Sequence, residues 1–193
     1  PAYGSIDVSE FRGCENLKYV TAANPSLKIT GGEVDTSYTF DSFKEDVPAE
    51  FYLESVDSSQ FHTCATNNYM AFSYLNSDGT KQNLYELTVQ ETSGKKAVYR
   101  VNSSNQLVYC EFDSGLETVT MPDTVGPYQI TVIGSGIFRN NCYLRRITIP
   151  SSITTIEDSA FKGCHNLKDV IFKEPVNVTS IGTDAFKTQE VEY

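Results

Sequence analysis

The chain has 193 residues, of which 15 are Lys or Arg and 25 are Asp or Glu, for a net charge of −10. That acidity repels phosphate backbones, so no nucleic-acid partner is expected, and no window reaches the roughly 18 apolar residues of a membrane-spanning helix, so no membrane insertion is expected either. Hydrophobic residues make up 39%, yet 12 Tyr and 11 Phe are too many for a disordered polymer, and the length fits one domain or two small ones.

The first recognisable segment is Ile6-Asp-Val-Ser-Glu-Phe11-Arg-Gly-Cys14-Glu-Asn-Leu17-Lys-Tyr-Val20. It aligns without a gap on Ile156 to Val170, sharing Phe-(Arg/Lys)-Gly-Cys-x-Asn-Leu-Lys-x-Val. Asp41-Ser-Phe43-Lys reads as a worn copy of Asp158-Ser-Ala-Phe161-Lys. Acidity peaks around Asp41, Glu45, Asp46, Glu50, Glu54 and Asp57. These lack the alternating spacing of a calcium loop, so they read as a solvated face and no metal is placed there. The charge is uneven: residues 1–83 carry 5 basic and 12 acidic groups, net −7, and residues 84–193 carry 10 and 13, net −3.

The polar run Asn76-Ser-Asp-Gly-Thr-Lys-Gln-Asn83 contains a turn-forming Asp-Gly. After it, 84–90, 96–101 and 106–112 alternate like strands, and Asn102-Ser-Ser-Asn105 reads as the hairpin turn between the last two. A half unit, Leu116-Glu-Thr-Val119-Thr-Met121-Pro122, opens the clearest periodicity. Ile130-Thr-Val-Ile133, Phe138 and Leu144-Arg-Arg-Ile147-Thr-Ile149 are followed by Ile153-Thr-Thr-Ile156, Phe161 and Leu167-Lys-Asp-Val170-Ile-Phe172. Val178-Thr-Ser-Ile181 and Phe186 begin a third copy. Phe138 to Phe161 is 23 residues and Phe161 to Phe186 is 25. Ile-x-x-Ile and Leu-x-x-Val-x-Ile place apolar side chains on one side of short extended segments, and such units cannot bury that side alone. Stacked units of about 20–29 residues sharing one core are the expected solution.

These residues resemble the leucine-rich repeats of BspA-like surface proteins. The resemblance implies a β-rich leucine-rich-repeat solenoid: right-handed coils of short strands, little helix, and two repeat blocks with a capping segment between. Phe51–Ser59 and Ala65–Phe72 look like that cap, with a strand, a short helix around Ser59–Asn67 and a last strand at Met70–Leu75. Family members often open a block with a strand pair like that of 84–112. Residues 1–77 are therefore expected to end one block with its cap, 78–83 to be a linker, and 84–193 to be a hairpin followed by a second, truncated block. The family's members are exported and displayed at the cell surface, with signal and anchor expected outside this chain, and some are adhesins. That analogy implies a surface fragment binding a host or microbial protein or glycan without catalysis, the alternative being a structural spacer or stalk.

In such repeats the variable residues of Leu-x-x-Val-x-Ile point outward. The resemblance thus implies a binding face of Thr118, Thr120, Arg145, Arg146, Thr148, Lys168, Asp169 and Ile171, with Tyr19 and Thr21 in the first block. Arg145, Arg146 and Lys168 are expected to make it locally basic. The absence of Trp weakens a sugar-stacking site, though the Tyr residues leave one open. Cys14 and Cys164 share a repeat position and Cys142 lies one residue off it, so Cys14, Cys64, Cys110, Cys142 and Cys164 are expected as free thiols. A Cys142–Cys164 bridge between adjacent coils is the alternative. His62 and His165 neighbour Cys64 and Cys164 in sequence, but a repeat-core thiol and a turn imidazole face differently, so no nucleophile pair is expected. No hydrolase elbow, phosphate loop or zinc spacing occurs, and no enzyme activity or cofactor is expected.

Overall fold

The computed structural model describes residues 71–188 continuously, together with 5–7, 17, 19–22, 28–30, 52–56, 62 and 65. Phe11, Cys14, the copy at 41–44 and the acidic residues from Asp41 to Glu50 lie outside these. The chain divides into two compact units, Pro1–Thr88 and Val89–Tyr193.

In the first unit, β1 (Ser5–Asp7) pairs in parallel with β3 (Lys28–Thr30), and β2 (Tyr19–Ala22) in parallel with β4 (Tyr52–Val56). The next parallel neighbour of β4 is β5 (Ala71–Leu75), and residues 62 and 65 between them are helical. β5 is buried on both faces, as a covered strand should be. Residues 76–80 turn back, with Gly79 donating to Asn76 O at 2.9 Å, into β6 (Lys81–Gln90), which is antiparallel to β5. The stretch expected as a linker, 78–83, thus holds a tight turn and the first residues of a strand. Glu54 departs from the expected solvated acidic face. It is 2% exposed, and its oxygens accept from Thr21 Oγ1 (2.9 Å) and Ser73 Oγ (3.2 Å) and pair with Lys81 Nζ (3.0 Å). A buried carboxylate needs such partners, because desolvation alone would neutralise it.

The second unit opens with the hairpin β7 (Lys96–Asn102) and β8 (Gln106–Phe112). Its turn is the expected one, with Asn105 donating to Asn102 O at 3.1 Å and adopting φ +61°; Asn tolerates the left-handed region better than most residues. Then come β9 (Thr118–Thr120), the small hairpin β10 (Thr124–Val125) and β11 (Tyr128–Gln129), and β12 (Val132–Ile133). β13 (Arg146–Ile149), β14 (Thr155–Ile156), β15 (Asp169–Phe172) and β16 (Ser180–Ile181) complete it. Alternate strands fall into two parallel ladders. β8, β12, β14 and β16 form one, with Leu107, Ile133, Ile156 and Ile181 in register, and β9, β13 and β15 the other, with Val119, Ile147 and Val170 in register. The inward residues between the ladders are the apolar positions of the repeat: Leu116, Val119, Ile130, Ile133, Leu144, Ile147, Ile153 and Ile156 are all at most 1% exposed.

The rings after the first ladder stack. Phe112–Phe138, Phe138–Phe161 and Phe161–Phe186 have centroid separations of 5.7, 4.6 and 4.9 Å at 15°, 8° and 5°. That spacing is essentially the inter-strand distance of a sheet, about 4.8 Å. Two residues before each Phe the chain must turn left-handed: Gly136, Ser159 and Asp184 have φ +67°, +58° and +57°. The last copy differs from the first two, since Ile181 and Phe186 are 56% and 36% exposed, with no described coil on their far side. Phe161→Ala, which empties the middle of the stack, should cost about 3–5 kcal/mol in urea unfolding. Phe186→Ala should cost clearly less, because that ring buries less area; equal losses would show that the stack is not the stabilising element.

Candidate binding face

The ladder β9–β13–β15 turns its unburied residues outward in two rows. Thr118, Arg146 and Asp169 are register partners in one, and Thr120, Thr148 and Ile171 in the other. Val119 and Ile147 between them point into the core at 0% exposure, while Ile171 is 45% exposed. The outward set of the sequence reading in this unit is therefore brought side by side. Tyr19 and Thr21 belong to the other unit and are engaged there. Tyr19 stacks on Tyr52 (5.3 Å, 18°) beneath the Lys81 ammonium (5.0 Å), and Thr21 donates to Glu54.

The expected basic edge is largely neutralised. Arg146 donates from Nε (2.9 Å) and Nη2 (2.6 Å) to Asp169 Oδ2 on the neighbouring strand, and Arg145 Nε pairs with Glu117 Oε2 at 3.2 Å. Among the described residues Lys168 is exposed and makes no ion pair. The reason is the register of the coils: residues 23 apart in Arg146–Asp169 and 28 apart in Glu117–Arg145 share a row, and opposite charges in a row pair at close range. These exposed pairs add little stability, about 0–1 kcal/mol each, but they set which charges the face leaves unpaired.

One residue at this face escaped the sequence reading. Glu91, in the turn 91–95, accepts the backbone N–H of Thr120 at 3.0 Å. It thereby occupies a donor on the outer edge of β9, a device that discourages strand addition. Nothing local in the sequence links Glu91 to a strand 29 residues on. Burial pushes its carboxyl above the ordinary value of 4.5, partly offset by the Thr120 N–H.

Of the thiols, Cys164 behaves as a buried filler, while Cys142 is exposed. Cys110, Cys142 and Cys164 are free. Cys164 is buried and donates to Phe138 O (2.9 Å), and burial raises its pKa, which opposes nucleophilic use; His165 beside it is exposed. Asn141, not Cys142, holds the position equivalent to Cys164, and its Oδ1 accepts from the N–H of Tyr143 and Leu144, both at 3.0 Å. Cys64 lies outside the described residues. His62 Nε2 lies 2.9 Å from Glu86 Oε1, and Tyr74 donates to Glu86 Oε2 at 2.6 Å.

A sequence profile of the BspA type leucine rich repeat region matches residues 104–193 in six copies. Residues 104–193 are a BspA-type leucine-rich repeat region. The leucine-rich repeat thus begins in the turn of the β7–β8 hairpin and runs through every strand of both ladders. Among solved structures, the chain is similar to a leucine rich cell surface protein from Faecalibacterium prausnitzii (28% identity, TM-score 0.40), covering 52% of this chain and 27% of that one. A leucine-rich repeat protein from Bacteroides capillosus shares 27% identity (TM-score 0.40), covering 51% of this chain and 73% of that one. The pneumococcal vaccine antigen PcpA shares 23% (TM-score 0.32), covering 51% and 29%. No curated protein sequence matches. Among the described residues no helix is long and apolar enough to cross a membrane.

A pH prediction follows from Glu91. A carboxyl whose folded pKa lies above its unfolded value binds more protons when folded, so it loses stability as pH rises from 4.5 through the folded value. Glu91→Gln, which keeps an acceptor for Thr120 without the charge, should flatten this part of the stability profile and raise the midpoint of urea unfolding at pH 7. A variant with the wild-type pH slope would remove Glu91 as its source.

Proposed function

We propose that this chain is part of an exported cell-surface protein whose repeat array binds a protein partner across β9, β13 and β15, without catalysis. The observation that carries the reading is the pair of outward rows, Thr118–Arg146–Asp169 and Thr120–Thr148–Ile171, held in register with an exposed Ile171 among polar neighbours. A flat polar surface with an exposed aliphatic residue suits a macromolecular contact better than a small-molecule site. The cell-surface setting is drawn from the Faecalibacterium leucine rich cell surface protein that the chain resembles. The buried Cys164 thiol and the repeat-core packing support a binding rather than a catalytic use. The spacer reading draws on one observation of its own, that Arg145 and Arg146 are already paired within the chain.

Capture of purified extracellular-matrix and microbial surface proteins by the immobilised chain distinguishes the two. Lys168→Glu, together with the exchange Arg146→Asp plus Asp169→Arg that preserves the pair, should weaken capture at least tenfold, about 1.4 kcal/mol, while leaving the unfolding midpoint in place. Capture unchanged by both, or no capture at all, favours the spacer.

A further inference from the structure

A cavity of about 270 Å³ opens beside the first coil of the array, between the end of β8 (Cys110, Phe112, Asp113) and the turn 137–143. Its origin is a missing rung. In the later coils, turn carbonyls face the coil before them. Ala160 and Lys162 accept from Phe138 N and Asn140 N, both at 2.8 Å, and Ala185 and Lys187 accept from Phe161 N and Gly163 N at 2.7 and 2.9 Å. One coil earlier the equivalent carbonyls belong to Ile137 and Arg139, and no backbone hydrogen bond among the described residues ends on either. On that side stands β8, which supplies the Phe112 ring to the stack, followed by the turn 113–116, whose backbone N–H groups do not donate to Ile137 or Arg139. Among the described residues these two carbonyls of lining residues thus have no backbone partner, and at this open turn water or a ligand's donors can satisfy them.

The rest of the lining is mixed. Arg139 and Asp113 bring opposite charges, Asn140 an amide, and Phe112 and the 50% exposed Tyr143 ring faces. With the charges cancelling, neither an anion nor a cation is favoured, and the unmet carbonyls call for a ligand rich in donors that can also accept. Hydroxyl groups do both. At just below the roughly 300 Å³ where drug-sized pockets begin, the cavity admits a single ring. We propose that this pocket binds one neutral sugar residue of a glycan, its hydroxyls donating to the Ile137 and Arg139 carbonyls and to Asp113, and its C–H face lying against Tyr143. None of the residues of the strand face lines this pocket, so the two readings stand or fall separately.

Saturation-transfer NMR on the intact chain, with the methyl glycosides of glucose, galactose, mannose and N-acetylglucosamine, tests it. At least one should bind with a dissociation constant on the order of millimolar, as a single ring allows. Tyr143→Ala and Asp113→Asn, both at exposed side chains, should each weaken that binding at least tenfold with the circular-dichroism spectrum unchanged. Cys142, exposed in the same wall, is a second reporter: the saturating sugar should slow its alkylation by iodoacetamide at least threefold, read by peptide mass. Transfer from none of the glycosides, or binding unaltered in both variants, overturns the proposal. Protection of Cys142 by an extended peptide but by no sugar overturns it in favour of a peptide site.

Discussion

Everything in the second unit depends on a backbone ladder that runs from coil to coil. N–H groups of the Phe turns donate to carbonyls of the coil that follows, so Phe138 reaches Ala160 and Phe161 reaches Ala185, while N–H groups just after the first-ladder strands donate to the coil before, so Gly134 reaches Leu107 and Glu157 reaches Ile133. Only a fixed register lets these bonds form, and that register forces equivalent side chains into columns. The stacked rings of Phe138, Phe161 and Phe186 are one column, and Ile133, Ile156 and Ile181 another. The two extra residues of the longer repeat do not disturb it. Six positions separate Ile149 from Thr155 and eight separate Phe172 from Ser180, so the insertion sits wholly between β15 and β16. A surface loop absorbs added length at small entropic cost.

Such a stack is stabilised by neighbours only, and its weak points are its boundaries. At the start, β8 satisfies the strand ladder and the ring column but not the turn ladder, and the vacancy is the pocket at 137–143. At the outer edge of β9, the Glu91 carboxylate occupies the Thr120 N–H that a further strand would use. That arrangement places a carboxylate where burial disfavours its charge, so edge protection is gained against some stability at neutral pH.

The same columns govern the outward surface. Because Arg146 and Asp169 are register partners, the fold pairs them, and the outward surface is a polar, internally matched field around Ile171 instead of a basic patch. Thr118, Thr120 and Thr148 line the two rows without competing for those charges.

The repeat was legible in the sequence because its cause is local: apolar residues at fixed spacing, a Phe, and turn residues recur in each copy. That spacing alone identifies Ile133, Ile147, Ile156 and Phe161 as core, and the hairpin turn at 102–105 is equally local. The Arg146–Asp169 pair was within reach, since residues one period apart must share a row, but knowing the row does not say that the side chains close on each other. The buried Glu54, held by Lys81, and the role of Glu91 were not readable, because their partners lie 27 and 29 residues away outside any period. The sequence by itself determined which positions stack. Only the tertiary structure decided which polar groups the stacking leaves paired, buried or unmet, because hydrogen bonds between coils depend on register and side-chain reach, neither of which a one-dimensional pattern contains.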